Sequence, residues 1–215
     1  MGERRPLQSR DARWAKATAS FLAARRVPPN AISIGSVVAA AIAGTAFLLS
    51  NQWGKDTPVR ALWLVVAAIA IQLRLICNLL DGMVAVEGKL GSKSGEIYND
   101  LPDRIADPLI LVAAGYAVPF VFGPALGWLA GLLAVFTAYT RLLGAATGAG
   151  QDFRGPMAKP QRMAVMTVAS LGEIAAGLLH YAGYVFIAAL ALVILGCIVT
   201  IARRTANIKR ILESR

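Results

Sequence analysis

The strongest constraint in this sequence is a pair of long stretches without a single charge. Ala31–Ser50 runs for 20 residues and Gly183–Ile201 for 19 with no Asp, Glu, Lys or Arg. As helices rising about 1.5 Å per residue, each reaches across a hydrocarbon layer of roughly 30 Å. A water-soluble fold would need polar surface to cover such stretches, and the chain lacks it: 57% of its residues are apolar, 16% are charged, and its mean hydropathy is positive. Four further stretches follow the same pattern with polar interruptions: Ala61–Leu80, Asp103–Phe122, Ala125–Leu143 and Met163–Ala182. The sequence therefore predicts an all-α polytopic membrane protein with six transmembrane helices. Spanning strands would show short alternating segments instead, and none is visible.

Charge placement predicts the orientation. Seven basic residues precede the first expected span (Arg4, Arg5, Arg10, Arg13, Lys16, Arg25, Arg26), and five follow the last (Arg203, Arg204, Lys209, Arg210, Arg215). An even number of spans puts both termini on one side, and flanking Lys and Arg favour the cytoplasm. Lys89 and Lys93, and Arg154, Lys159 and Arg162, fall in loops on that same side, while the opposite loops hold only Lys55, Arg60 and His180. The reading is a multi-pass protein of the inner (cytoplasmic) membrane with both termini cytoplasmic. Its net charge of +10 then reflects topology and attraction to anionic membrane lipids, not nucleic-acid binding.

Three segments follow: a cytoplasmic N-terminal segment over 1–30, a membrane domain over 31–202, and a basic cytoplasmic tail over 203–215. The first 30 residues are basic and have no apolar core, so the first span is expected to act as an uncleaved insertion signal. Asp11–Arg26 reads as an interfacial amphipathic helix with Trp14, Phe21 and Leu22 towards one side, ended by Val27-Pro28-Pro29-Asn30. Gly127-x-x-x-Gly131, with Gly35, Ala39, Ala40 and Gly44, permits close helix packing. That packing serves either the interior or a homodimer face, and the interior is the favoured reading. Cys77 and Cys197 lie inside spans as small apolar residues, with no disulfide or metal pattern.

Acids inside the membrane are costly and so mark function. Between the second and third spans the sequence reads Asn78-Leu-Leu-Asp81-Gly82-Met-Val-Ala85, then a loop, then Gly95-Glu-Ile-Tyr-Asn99-Asp100-Leu-Pro-Asp103-Arg104-Ile-Ala-Asp107. Helical spacing puts Arg74, Asn78, Asp81 and Ala85 on one face, and Asn99, Asp103 and Asp107 one turn apart on the next helix. Two antiparallel helices joined at this end can gather Asn78, Asp81, Asn99 and Asp103. Oxygen ligands of this kind suit Mg²⁺ or Mn²⁺. Gly82 and Gly95 remove side chains where a phosphate or nucleotide would approach the backbone.

This segment resembles the signature of the CDP-alcohol phosphatidyltransferases, Asp-x-x-Asp-Gly-x-x-Ala-Arg, eight residues, then Gly-x-x-x-Asp-x-x-x-Asp. The spacing matches throughout from Asn78 to Asp103, with Asp81, Gly82, Ala85, Gly95 and Asp103 identical. Asn78 and Asn99 replace aspartates, and Val86 stands at the arginine position with no obvious replacement, Lys89 and Lys93 being the candidates. Pro29-Asn30 before the first span, and Arg154-Gly155-Pro156 with Lys159 and Arg162 before the fifth, resemble further parts of the family pattern. The two asparagines resemble a divergent bacterial branch of the family.

The resemblance implies a membrane transferase of phospholipid biosynthesis. It would move a phosphatidyl or other substituted phosphate group from CDP-diacylglycerol, or another CDP-linked donor, to a small alcohol or lipid acceptor, releasing CMP. It implies Asp81 and Asp103 as metal ligands with Asn78 and Asn99 as weaker neutral ones, and Asp103 as the base. Gly82, Ala85, Gly95, Arg154, Lys159 and Arg162 would face the nucleotide and phosphates. Asp107 is a candidate to compensate for the lost charges, as a ligand or as the base in a shifted arrangement. Arg74, about 10 Å along the helix from Asp81, reads as a structural counter-ion. Glu173, mid-span, is expected to pair with Arg74, to line a polar cavity, or to sit protonated and hydrogen-bonded to a neighbour. Asp100, Arg104 and Arg141 lie near span ends and read as snorkelling residues. Two rival functions stay open: an inactive family member, and a small ion-coupled transporter, whose acids would sit nearer the midplane.

Overall fold

The computed structural model describes residues 11–53, 58–88 and 95–214, except for the side chains of Glu87, Glu96 and Asn99. Lys55, Lys89 and Lys93 lie outside the described residues. Seven helices make up the described chain: α1 (Arg13–Ala24), α2 (Pro29–Gln52), α3 (Pro58–Glu87), α4 (Gly95–Tyr116), α5 (Gly123–Ala146), α6 (Lys159–Leu178) and α7 (Tyr184–Glu213). No strand occurs among the described residues.

Local chemistry sets the helix limits. α1 stops where Arg26 takes a left-handed conformation (φ 53°) ahead of Val27 and two prolines, and Pro29 then opens α2 at its first turn, where no N–H is needed. α4 begins eight residues before the expected third span and ends before Pro119, so the segment expected to continue to Phe122 turns instead. α6 likewise starts at Lys159, with Pro160 in its first turn, and ends ahead of a tight turn with His180 at φ 62° and Gly183 at φ 94°. α7 runs on to Glu213, through most of the residues expected as the basic tail.

Among the described residues four helices are long and apolar enough to cross a membrane: α2, α3, α5 and α7. α4 and α6 occupy the other two expected spans and carry more charged residues, Asp100, Asp103, Arg104 and Asp107 on one and Lys159, Arg162 and Glu173 on the other. Large apolar side chains face outward, including Ile34, Val38 and Ile42 on α2 and Leu192, Leu195 and Ile198 on α7, while alanine and glycine fill much of the interior. Large residues outside and small ones inside is the arrangement expected of helices packed in hydrocarbon. The chain is an all-helical membrane protein.

Adjacent helices close a ring. α2 packs on α3 and α4, α4 on α5, α5 on α7, and α6 joins α7 back to α3. α3, α4 and α6 therefore look across the same interior. The ring closes tightly at glycines: a side chain on Gly127 would come within 2.9 Å of Gly115 on α4, and one on Gly44 within 3.2 Å of a backbone oxygen on α4. The glycine spacing read from the sequence thus serves packing within the chain. α1 lies against the end of α3, with Ala15 and Ala19 buried on Leu79, Leu80, Met83 and Val84. Leu22 packs there too, whereas Trp14 and Phe21 remain exposed.

Candidate active site

The site forms at one end of the ring, where the last turns of α3 meet α4 and the first turn of α6. α3 supplies Arg74, Asn78 and Asp81 in successive turns, and α4 supplies Asp103 and Asp107 one turn apart. Asp81 is buried; its Oδ2 accepts a 2.7 Å hydrogen bond from the Ser33 hydroxyl of α2. Its Oδ1 is buried and accepts no hydrogen bond. Asp81 lies within electrostatic range of Asp103 and Lys159.

Asp103 and Asp107 are held by cations. Arg74, fully buried, reaches Asp103 Oδ1 at 3.1 Å and also bonds Asp107 Oδ1. Lys159 Nζ, from the first turn of α6, bonds Asp103 Oδ2. Arg162 grips Asp107 Oδ2 through Nε at 3.1 Å and through Nη2, and its Nη1 donates to Thr137 Oγ1 at 3.1 Å and to the Met157 carbonyl at 2.9 Å. A buried charge is tolerated only when paired and hydrogen-bonded, and this network meets that requirement for Asp107 on both oxygens. Asp107 is thus engaged as a counter-ion to two guanidinium groups. Arg162 is engaged inside the protein, while Lys159, with 28% of its side chain exposed, is the cation of the network in reach of solvent.

The other expected site residues fall as follows. Asn78 donates its amide to the Arg74 carbonyl at 3.0 Å, which leaves its own carbonyl oxygen for a ligand. Gly82 and Ala85 continue α3 past Asp81, and Gly95 opens α4. The Asn99 side chain lies outside the described residues. Arg154 stands apart from the Asp81–Asp103 network on the loop before α6, where it bonds Asp152 through Nε and Nη2. Burial alone would raise the Asp152 carboxyl, but the Arg154 side-chain and backbone hydrogen bonds and the Asn207 amide hold it below its ordinary range. Asp100, expected to snorkel, instead bridges Arg104 and Arg141.

Several partners were not foreseen. Ser33 is one of several hydroxyls in an uncharged span, with Ser36, Thr45 and Ser50, so nothing local singled it out. Arg204, expected in a free tail, is buried and bonds the carbonyls of Arg154 and Thr137. Arg60, expected in an exposed loop, is buried in the first turn of α3 and pairs with Glu173 at 2.9 Å. Glu173 therefore does not pair with Arg74. Its Oε1 also accepts the Gly183 N–H.

A divalent cation fits part of this arrangement. Asp81 Oδ1 is a buried anionic oxygen lacking a donor, and Asn78 offers a neutral oxygen one turn away, the hard donors that Mg²⁺ or Mn²⁺ prefers. Among the described residues no three His, Cys, Asp or Glu side chains converge on one point. An ion here would draw on few carboxylates and on amide oxygens.

The sequence matches no protein-family model and no curated protein. Solved structures do match. The phosphatidylinositol phosphate synthase PgsA1 of Mycobacterium tuberculosis, with CDP-DAG bound, superposes with a TM-score of 0.73 at 16% identity, covering 92% of this chain and 94% of that one. The same synthase in complex with manganese and citrate gives 0.71 at 16% identity, over 90% and 88%. Its apo form gives 0.67 at 16% identity, over 89% and 94%. Over nearly its whole length, this chain has the fold of those phosphatidylinositol phosphate synthase structures.

Proposed function

We propose that this chain is a CDP-alcohol phosphatidyltransferase of the inner membrane, transferring a phosphatidyl or substituted phosphate group from a CDP-linked donor to an alcohol. The observation that carries the reading is Asp81, buried with one oxygen free, facing the same interior as Asp103 in a fold shared with a synthase crystallised with CDP-DAG and with manganese. The signature spacing from Asn78 to Asp103 supports it independently. On this reading α4 and α6 also cross the membrane, giving six spans with both termini cytoplasmic, and α1 lies in the cytoplasmic interface.

Asp81 and Asp103 would be the carboxylates of the metal set, with Asn78 and Asn99 as weaker neutral ligands. Bound Mg²⁺ or Mn²⁺ would offset the charge of the donor pyrophosphate and stabilise departing CMP. Asp103 would take the proton of the acceptor hydroxyl. The hydroxyl oxygen forms its bond to the transferred phosphorus, the bond from that phosphorus to the CMP oxygen breaks, and CMP leaves. Lys159 must first release Asp103 Oδ2, and a substrate phosphate offers its ammonium an alternative partner. Gly82, Ala85 and Gly95 leave room for the nucleotide along α3 and the start of α4.

The test supplies purified protein with CDP-diacylglycerol, Mn²⁺ and a mixed pool of alcohols. New lipids are identified by mass spectrometry and CMP release is followed. New phosphatidyl-alcohol lipids formed with release of CMP support the reading, and their absence with exchange of labelled CMP also missing refutes it. A second reading, an inactive member of the same family, draws on the two cations that occupy Asp103. It predicts nucleotide binding without CMP exchange.

A further inference from the structure

Three carboxylates and three cations share the buried site: Asp81, Asp103 and Asp107 against Arg74, Lys159 and Arg162. They are not equally free. Both oxygens of Asp107 are on guanidinium groups, and Asp103 has Arg74 on one oxygen and Lys159 on the other. Ser33 holds one oxygen of Asp81, which leaves Asp81 Oδ1 as the oxygen of these three carboxylates without a donor. The two positions that could add negative charge, Asn78 and Asn99, are neutral amides. Two dications held side by side repel strongly at low dielectric and need several carboxylates to bridge and neutralise them. Here three cations already face the three carboxylates, and Asp81 Oδ1 is the anionic oxygen among them without a donor.

We propose that this site takes a single divalent cation, anchored on Asp81, and that the Lys159 ammonium on Asp103 supplies the positive charge a second cation would bring. The inference rests on the transferase reading and deepens it. An ammonium suits the role because it carries three donors on a flexible stem, so it can hold Asp103 and then a substrate phosphate oxygen. Its position in the first turn of α6, partly exposed, gives it that freedom.

The experiment counts ions on the full chain in nanodiscs. Mn²⁺ is titrated and the free ion is read by electron paramagnetic resonance, with calorimetry as a second measure. The parent protein is expected to bind one Mn²⁺ per chain, and Asp81→Ala to bind none. Lys159→Gln strips the ammonium from Asp103 and should raise the count towards two, the second ion binding at least tenfold more weakly than the first. Lys159→Arg keeps the charge and should stay at one. Zero or two equivalents in the parent overturn the proposal, as does an unchanged count in Lys159→Gln. The parent count needs no variant, so a misfolded Lys159→Gln leaves the test intact. CMP release on the same preparations separates the two readings. One ion without CMP release refutes the transferase and leaves the ion count standing; two ions with CMP release refute the single-cation proposal alone.

Discussion

Two buried ion-pair clusters occupy opposite ends of the helix ring, and they differ in kind. At one end Arg60 of α3 meets Glu173 of α6, which also takes the Gly183 N–H; both charged side chains are almost wholly sealed from solvent, at 4% and 0% exposed. At the other end three carboxylates and three cations interlock, with Lys159 28% exposed and an oxygen of Asp81 without a donor. The first cluster joins α3, α6 and the turn into α7, and so acts on the fold. Glu173 Oε2, like Asp81 Oδ1, is buried without a hydrogen-bond donor, so the clusters differ in access: the second has a member in reach of solvent and can exchange partners. Neither buried charge nor an oxygen without a donor distinguishes the two ends; solvent access to Lys159 does.

The largest effect should come from the open oxygen. Asp81→Ala removes the anionic anchor and should lower Mn²⁺-dependent CMP release by at least ~100-fold, on the scale of losing one catalytic electrostatic contact, while thermal stability changes little. If Asp81→Ala instead melts the protein and leaves the turnover of the folded fraction intact, the contrast between the two ends collapses.

Breaking the sealed pair should do the reverse. Arg60→Ala leaves Glu173 buried without its guanidinium and should cost roughly 3–5 kcal/mol, read by thermal unfolding in detergent. The double change Arg60→Met with Glu173→Leu removes both charges and should recover most of that loss. Turnover per folded molecule should hold near the parental level in the double variant; a fall beyond tenfold would show that this pair also serves the chemistry.

Asn78→Ala should sharpen the comparison from inside the site. It removes one neutral oxygen and one amide hydrogen bond of about 0.5–1.5 kcal/mol, so Mn²⁺ affinity should weaken by less than about tenfold in calorimetry. A loss as large as that of Asp81→Ala would make the amide an equal ligand.

The smallest effect concerns the loop that leads into Lys159. The Asp152 carboxyl is held below its unfolded value, so the stability it contributes is complete above the unfolded pKa and is lost as the pH falls through the folded one. Asp152→Asn should therefore lower the melting temperature slightly at pH 7, and the gap to the parent should narrow as the pH falls through the folded pKa. A gap between variant and parent that widened on acidification would reverse the assigned sign.

The elements differ in how far they could be read in advance. α2 and α7 were legible because an uncharged stretch of about 20 residues has few fates other than a membrane helix. The face carrying Arg74, Asn78 and Asp81 was legible because helical spacing is a local property. The ends of α4 and α6 were not, since Pro119 and the turn at His180 and Gly183 redirect the chain within segments that remain apolar. Nor was the fate of Glu173 legible, because Arg60 is 113 positions away and only the packing of α3 on α6 brings the two together.

Sequence by itself determined the solvent, the helical class and the clustering of polar groups at the junction of α3 and α4, because hydropathy and helical periodicity act over one or two turns. Tertiary structure alone decided who pairs with whom. Ser33 reached Asp81 across 48 positions, Lys159 reached Asp103 across 56, and Arg162 reached Asp107 across 55. A buried charge must find an opposite charge or a hydrogen bond wherever the helix ring presents one, and which helix presents it depends on the closure of that ring, which no local pattern encodes.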